Sequence, residues 1–293
     1  MILKTFRAPN YPLDTTISAS FIIPAIHYAI NNGANIINAS WSGIGESQAL
    51  KDVIEAAGEA GILFVTGAGN NNRNSDVDTQ SYPASYDLDN IIAVTATDSS
   101  DNKAVTSNYG QISVDLGAPG VDIHSTLPNN SYGLKSGTSM AAAHVTGAAA
   151  VLLSENENRT PSNIKNLLLS TVDPIDSMSN ITSSGGRLNL FNAFSCKPNK
   201  LFITNEKPNI GFIATIALQP VIIQIDISAC GDYIENTNVS VAFNHGENTL
   251  LLFDDGQALD GRFANTWYPQ TAGPVELTFT AQHIITSNKI SAW

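Results

Sequence analysis

One serine lies where its hydroxyl could act as a nucleophile. Ser139 follows Gly137-Thr138 and opens a run of small residues typical of a closely packed helix. A helix N-terminus offers free backbone N–H groups and the positive end of the helix dipole, which stabilise a developing negative charge. The pattern therefore favours nucleophilic chemistry at Ser139, and a simple helix cap is the alternative.

A second side chain could stabilise such a charge. Residues 61–70 have the pattern of a buried strand that ends in a glycine-rich turn, with Asn70 just past the strand end. Ligands bind at this edge in open α/β sheets. The Asn70 amide could donate a hydrogen bond to an oxyanion formed on a carbonyl that Ser139 attacks. An ordinary turn asparagine is the alternative.

The elements that must position these residues alternate between strands and helices. Apolar runs predict buried strands at 36–39, 62–65 and 91–94. Helical patterns cover three further stretches: one that contains Pro24 and ends at 31–33, one at 46–60, and one from Thr160-Pro161 to Leu169. We therefore predict an α/β domain over residues 1–197, with a parallel sheet flanked by helices.

The pattern changes after Cys196. Residues 198–293 contain short β-rich runs separated by Pro, Gly, Asn and Asp, without a helical repeat. We predict a small all-β, immunoglobulin-like sandwich as an accessory module. The two cysteines, Cys196 and Cys230, allow one bridge or two free thiols.

Four motifs occur together in one order along the chain. They are Ile37-Asn-Ala-Ser-Trp-Ser-Gly43, Gly67-Ala-Gly-Asn70, Leu116-Gly-Ala-Pro-Gly-Val-Asp-Ile-His-Ser-Thr-Leu127 and Gly137-Thr-Ser-Met-Ala141. In this combination the sequence resembles the subtilisin-like serine peptidases (subtilases, peptidase family S8). The resemblance implies a subtilisin-like fold and a serine endopeptidase that hydrolyses peptides or proteins through an acyl-enzyme.

The resemblance also assigns site residues. It implies that Ser139 is the nucleophile and Asn70 the oxyanion-hole side chain. Ser40, Trp41, Ser42 and Gly43 would form the strand that pairs with substrate backbone, and Ala68 and Gly69 one wall of the primary specificity pocket.

Two parts of the family's catalytic triad do not match this sequence. In the family the order is Asp, His, Ser, and the sequence contains neither an Asp-[Ser/Thr]-Gly strand end nor a His-Gly-Thr helix start. We therefore expect the chain to be the later part of a longer enzyme, with an unpaired strand edge between the strands at 2–6 and 36–39. We expect the chain alone to be inactive, because a serine needs an adjacent base. A peptide-binding protein without catalysis is the alternative.

His144 does not replace the missing base. It follows Ser139 by five helical positions, so it points about 140° away and lies about 7.5 Å along the axis. We predict a structural histidine in the core.

The charge excludes some classes of partner. The chain has 14 Lys+Arg, 26 Asp+Glu and a net charge of −12, which disfavours nucleic acid. The apolar stretch 210–227 is interrupted by Gln219-Pro220 and predicts two strands instead of a membrane span. The N-terminal residues show no signal-peptide pattern. An extracellular or cell-surface location is therefore expected only because the resemblance implies it.

No cofactor is required for the predicted chemistry. Structural calcium is an alternative at Asp254-Asp255-Gly256, although hairpin turns are favoured there and at Asp260-Gly261. For Asn71 to Asp78, a solvated loop is favoured over a cation site.

Overall fold

A computed structural model gives the structure of the chain. It describes residues 18–196, 202–207, 212–215, 219–230, 232–233, 237–244, 247–254, 262–270 and 273–283. The chain divides into two compact units, Met1–Lys165 with Val172–Leu188, and Asn166–Thr171 with Asn189–Trp293. The predicted boundary at 197 stays a prediction.

The first unit contains a sheet that is mainly parallel. The described residues of this unit form eight strands, which in chain order are β1 (Ile36–Ala39), β2 (Leu63–Gly67), β3 (Ile91–Thr97), β4 (Leu116–Pro119), β5 (Ile123–Leu127), β6 (Ser131–Lys135), β7 (Asp173–Pro174) and β8 (Gly186–Arg187). Six of them form the sheet β1-β2-β3-β4-β8-β7, in which only the β7–β8 pair is antiparallel. Strands β5 and β6 form a separate antiparallel hairpin. The predicted α/β architecture with a parallel sheet is confirmed.

The helices begin and end largely as the sequence indicates. They are α1 (Ala19–Asn31), α2 (Gln48–Glu59), α3 (Thr138–Glu155), α4 (Pro161–Ser170), a 3₁₀ helix (Asp176–Met178) and α5 (Leu190–Phe194). Helix α1 starts five residues before Pro24, because Ser18 caps it by accepting the Ser20 N–H. Thr160 caps α4, with its Oγ1 accepting the Asn163 N–H at 3.1 Å.

Apolar residues join the helices of the first unit to the sheet. Helices α1 and α2 share one buried cluster with the first strands, and Phe64 of β2 lies in it with no exposed surface. Helix α3 lies along β1, β2, β3 and β4. Its buried residues are mostly alanine, which lets a helix approach a sheet closely.

The edge strand β1 pairs with β2 alone among the residues that the structure describes. The strand expected at 2–6 lies outside those residues, so the predicted gap beside β1 stays a prediction. No helix in the described parts of the chain is long and apolar enough to cross a membrane.

The second unit contains an antiparallel sheet. Its strands are β9 (Phe202–Lys207), β10 (Phe212–Thr215), β11 (Val221–Ala229), β12 (Asp232–Tyr233), β13 (Thr237–Phe243), β14 (Leu250–Asp254), β15 (Arg262–Trp267) and β16 (Gly273–His283). They follow the order β10-β16-β13-β14-β15-β11-β12, with β9 also on β11. The described residues from 202 onward are therefore all-β as predicted, and the two strands expected in 210–227 are β10 and β11. The immunoglobulin-like label stays a prediction.

One apolar cluster and one disulfide stabilise the second unit. Ile223, Ile225 and Ile227 alternate along β11 and are fully buried with residues of β13 to β16. Cys196, just after α5, forms a disulfide with Cys230 at the end of β11. The sequence allowed either one bridge or two free thiols, and the structure contains the bridge. The acidic turns at 255–261 lie outside the described residues.

Candidate active site

Three chain segments meet at the carboxyl edge of the parallel sheet. Strands β1 and β2 run side by side, with Ala39 opposite Thr66, so Ser40 and the turn at 68–70 leave the same edge. Helix α3, which begins at Thr138, packs against both strands. Parallel pairing therefore brings Ser40, Asn70 and Ser139 together, although they are far apart in sequence.

Ser139 is half-buried and is held by Ser40. Its Oγ donates a hydrogen bond to the Ser40 carbonyl at 3.1 Å, and the Ser40 Oγ donates to the Ser139 carbonyl at 2.9 Å. These reciprocal bonds fix the first turn of α3 on the segment that follows β1. The hydroxyl of Ser139 is thus oriented, but by a carbonyl oxygen, which cannot act as a base at neutral pH.

Asn70 lies beside the same helix start. Its Oδ1 accepts the N–H of Thr138 at 2.9 Å, while the side chain remains exposed. Because the oxygen is occupied by this backbone donor, the amide NH₂ is the end left to donate toward an incoming group. That is the orientation needed for an oxyanion-hole amide.

Two glycines let the backbones approach each other at this site. Gly69 has a φ of +107° and Gly137 a φ of +145°, values that L side chains rarely adopt. A Cβ on Gly69 would lie 2.5 Å from Nδ2 of Asn108, and one on Gly137 would lie 3.3 Å from Oδ1 of Asn70. The glycines of both motifs are therefore required by the geometry.

Asn108 anchors the Asn70 turn and was not identified from the sequence. This buried side chain donates to the Ala68 carbonyl at 3.0 Å, and its Oδ1 accepts the N–H groups of Asn71 and Arg73 at 2.9 and 3.1 Å. The sequence around Asn108 does not indicate this role, because its hydrogen-bond partners lie 35 to 40 residues away along the chain.

Lys103 and Thr138 also hold this turn. The Lys103 ammonium donates to Asn72 Oδ1 and to the carbonyls of Ala104 and Ser107, all within 3.1 Å. Partial burial lowers the pKa of Lys103 from its ordinary value. Thr138, which is buried, accepts the Gly69 N–H at Oγ1. The turn is therefore connected to both the β3–β4 connection and α3.

The segment expected to pair with substrate lies beyond the end of β1. Trp41 is half-buried against the core, whereas Ser42 and Gly43 are exposed. Gly43 forms an isolated antiparallel bridge with Tyr82, with N···O distances of 2.8 and 2.7 Å. Ala68 and Gly69, the two residues expected to form one wall of the specificity pocket, are both buried and directly precede Asn70.

Three histidines, His27, His124 and His144, lie among the described residues of the first unit. His27 and His124 lie on α1 and β5, and neither is a hydrogen-bond partner of Ser139. The prediction that His144 lies in the core is wrong. His144 is exposed, as are Ala143, Gly147 and Val151, because no described residue covers this side of α3. Its Nδ1 lies 3.0 Å from the Met140 carbonyl.

Known sequences are similar to the part of the chain that carries this site. The sequence model of the Subtilase family (Peptidase_S8) matches residues 8–199. Subtilisin DY of Bacillus licheniformis is 42% identical over 152 residues, which are 52% of this chain and 54% of that protein. Subtilisin NAT of Bacillus subtilis subsp. natto is 43% identical over 161 residues, 54% of this chain and 42% of that protein. The chain thus spans about half the length of these relatives.

Solved structures of two proteases are also similar. The prenylagaramide maturation protease PagA has a TM-score of 0.55 and 30% identity, covering 64% of this chain and 70% of PagA. A serine-to-alanine mutant of the protease domain of PatA has a TM-score of 0.52 and 31% identity, covering 59% of this chain and 63% of that domain.

Proposed function

The chain belongs to the subtilase family, and from this premise we propose that Ser139 is the nucleophile of a serine endopeptidase. The proposed reaction is attack of the Ser139 hydroxyl on a peptide carbonyl, which gives an acyl-enzyme that water then hydrolyses. The observation that carries this proposal is the start of α3, where Thr138, the residue before Ser139, donates its N–H to the amide oxygen of Asn70.

Asn70 and the Ser139 backbone N–H would stabilise the tetrahedral intermediate. The Thr138 N–H holds Oδ1 of Asn70, so the NH₂ group is free to donate to the oxyanion. Removing one such donor costs about a hundred- to a thousandfold in turnover, a magnitude measured on a subtilisin. No step of this chemistry uses a metal or other cofactor.

The chain 1–293 alone is expected not to hydrolyse peptides. The described partner of the Ser139 hydroxyl is a carbonyl oxygen, and an alcohol without an adjacent base stays protonated. Catalysis would need an imidazole supplied by a longer form of the protein. The second candidate, a peptide-binding protein without catalysis, is favoured by the same observation.

Fluorophosphonate labelling separates the two candidates. We expect Ser139 to be labelled in a polypeptide extended upstream, but not in 1–293, and Ser139→Ala to abolish the labelling. Ser154→Ala, an exposed serine on the same helix, is the matched control and should leave it unchanged. Absence of labelling in the extended polypeptide would contradict the endopeptidase. Peptide hydrolysis by 1–293, lost in Ser139→Ala, would contradict its inactivity.

An extracellular or cell-surface location is part of the proposal. The Cys196–Cys230 disulfide supports it, since disulfides persist in oxidising compartments.

A further inference from the structure

We propose that Asn38 and Thr146 are positioning residues, which act on Ser139 through the hydroxyl of Ser40. The inference rests on the proposed function, because it takes Ser139 to be the residue that reacts. It deepens that function by naming the groups that hold the nucleophile in place. Asn38 belongs to the motif at 37–43, of which the proposed function uses only Ser40 and the residues after it.

A continuous chain of hydrogen bonds connects the middle of α3 to its first turn. Oγ1 of Thr146 donates to Oδ1 of Asn38 at 2.9 Å, and Nδ2 of Asn38 donates to Oγ of Ser40 at 2.8 Å. The Ser40 hydroxyl then donates to the Ser139 carbonyl at 2.9 Å. Thr146 Oγ1 also lies 2.9 Å from the Ala142 carbonyl, which keeps this hydroxyl against its own helix. Each group therefore donates to the next one nearer Ser139.

The protons available explain why an asparagine lies at position 38. Ser40 has a single hydroxyl proton, and the Ser139 carbonyl accepts it. The other neighbour of the Ser40 oxygen must therefore be a donor, and the NH₂ group is the only end of the Asn38 side chain that can donate. The amide oxygen then faces Thr146, whose hydroxyl supplies a proton. A carboxylate or an aliphatic side chain would not satisfy both neighbours.

These bonds fasten α3 to the segment of β1 at two points. Thr146 follows Ser139 by seven residues, which is within about 20° of two full turns and about 10.5 Å along the helix axis. Asn38 and Ser40 are two residues apart, so their side chains leave the same face of the extended segment. One side of α3 is therefore bonded to one face of this segment, and a shift of the first turn would break the bonds.

The backbone beside Ser40 is held from the neighbouring strand. Thr66 of β2 is fully buried, and its Oγ1 donates to the Ala39 carbonyl at 3.1 Å. With the backbone fixed, the freedom left to Ser40 is rotation of its side chain. The bond from Asn38 removes that rotation, because the Ser40 Oγ must lie between the Asn38 amide and the Ser139 carbonyl. Asn38 thus determines whether Ser40 can hold the nucleophile.

A cysteine at position 139 reports this positioning without requiring catalysis. Both native cysteines are bridged, so Ser139→Cys gives the chain 1–293 a single free thiol. The bond from Ser40 goes to the backbone carbonyl of residue 139 and is therefore kept in this variant. A helix N-terminus stabilises a thiolate that is held against it. The rate of alkylation by iodoacetamide at pH 7 consequently measures how well the side chain is held.

Substitutions in this background identify the groups responsible. Thr146→Val keeps the shape of the side chain and removes its hydroxyl, and Asn38→Leu removes both hydrogen-bonding ends. Each should slow alkylation about threefold to fivefold, the size of a helix-terminus charge effect. Absorbance of the thiolate at 240 nm should show a raised thiol pKa. Thr146→Ser, which keeps the hydroxyl, and Ser154→Ala, an exposed serine on α3, should leave the rate unchanged.

Stability distinguishes positioning from a general structural role. Asn38 is exposed, so water can replace the hydrogen bonds that its side chain loses. The urea midpoint of Asn38→Leu, followed by circular dichroism, should therefore stay close to that of the parent chain, while the alkylation rate falls. Water would not restore the single orientation of the Ser40 hydroxyl.

The polypeptide extended upstream measures the consequence for the proposed reaction. With Ser139 present, Asn38→Leu and Thr146→Val should each lower the rate constant of fluorophosphonate labelling about tenfold, because a small misplacement of a reacting group is costly. Thr146→Ser should be labelled at the rate of the unmodified polypeptide.

Three results would overturn the inference. They are alkylation at the same rate in every variant, a loss in Thr146→Ser as large as that in Thr146→Val, and labelling of the extended polypeptide that Asn38→Leu leaves unaltered. Failure of the proposed function gives a different result. If the extended polypeptide is not labelled but alkylation at position 139 still depends on Asn38 and Thr146, the endopeptidase is rejected and the positioning role is kept.

Discussion

At the scale of single residues, the candidate site is ordered by hydrogen bonds between segments that are distant in sequence. Ser139 and Ser40 exchange bonds, Asn70 accepts from Thr138, and Asn108 holds the turn that carries Asn70. The side chains proposed to react with substrate are therefore positioned by groups that other segments of the chain supply. Substitutions at these neighbours test the arrangement.

Asn108→Ala should destabilise the first unit. The change leaves the Ala68 carbonyl and the N–H groups of Asn71 and Arg73 without their partner, at a cost of roughly 2–3 kcal/mol. Urea unfolding followed by circular dichroism measures the loss. Asn71→Ala, in the turn that Asn108 holds but with an exposed side chain, is the control and should change stability by less than about 0.5 kcal/mol. Equal effects of the two changes would contradict the role of Asn108.

Gly69→Ala should damage the site more than a typical glycine substitution. The residue has a φ of +107°, and the added Cβ would lie 2.5 Å from Asn108 Nδ2 and 3.0 Å from Ser81 Oγ. We expect a loss of about 2 kcal/mol or more of unfolding free energy. Gly45→Ala, where a Cβ would meet no atom within 4 Å, is the control. Thermal unfolding that is the same for both variants would exclude this crowding.

Glu46→Gln should lower the pKa of Tyr82. Burial raises the pKa of this phenol above its ordinary value, and the negative charge of Glu46 raises it further. Removing the charge makes the phenolate less unfavourable, but burial still keeps the pKa above that of an exposed tyrosine. Absorbance at 295 nm during alkaline titration measures the change, with Tyr82→Phe identifying the signal. An unchanged titration would show that Glu46 does not act on the hydroxyl.

The raised pKa of Tyr82 also makes the stability of the folded chain depend on pH. Because the pKa of Tyr82 is higher in the folded chain, this phenol's contribution is complete below the unfolded pKa of about 10 and is lost as the pH rises through the folded pKa.

At the scale of elements, local patterns predicted the first three strands of the parallel sheet and the approximate bounds of α2 and α4. Strand β1 coincides with the predicted range, and the Thr160-Pro161 signal marks the start of α4. These features depend on neighbours along the chain, such as a cap or an apolar run. The motifs at 67–70 and 137–141 are also short and local, and they made Asn70 and Ser139 candidates for the site.

Features that depend on distant partners could not be predicted. Asn108 acquires its role from segments 35 or more residues away. The exposure of His144 depends on what covers α3, which the helix's own sequence does not specify. A cavity of about 450 Å³ beside Tyr82 forms only when the segments at 44–46 and 75–82 come together.

Removing the Cys196–Cys230 disulfide should destabilise the second unit. The bridge closes a loop with a sequence separation of 34 residues. A loop of that length contributes roughly 3–4 kcal/mol in the chain-entropy model. The double variant Cys196→Ser, Cys230→Ser should therefore unfold at lower urea than the oxidised chain, and reductant should affect only the latter. Unfolding midpoints that do not differ would contradict this contribution.

At the scale of the whole molecule, charge limits the partners. A net charge of −12 leaves little attraction for polyanions. We expect the chain to pass through a heparin column at low salt and to be retained on an anion-exchange resin at pH 8. Retention on heparin would reveal a basic surface that composition does not indicate.

The disulfide also determines what happens to the chain after it has been cut. A single cleavage anywhere between Cys196 and Cys230 would leave the two pieces covalently joined, because each keeps one of the bonded cysteines. Such a nicked chain would migrate as one species on a non-reducing gel and as two after reduction. This bond would therefore keep the C-terminal strands attached to the rest of the chain after such a cleavage.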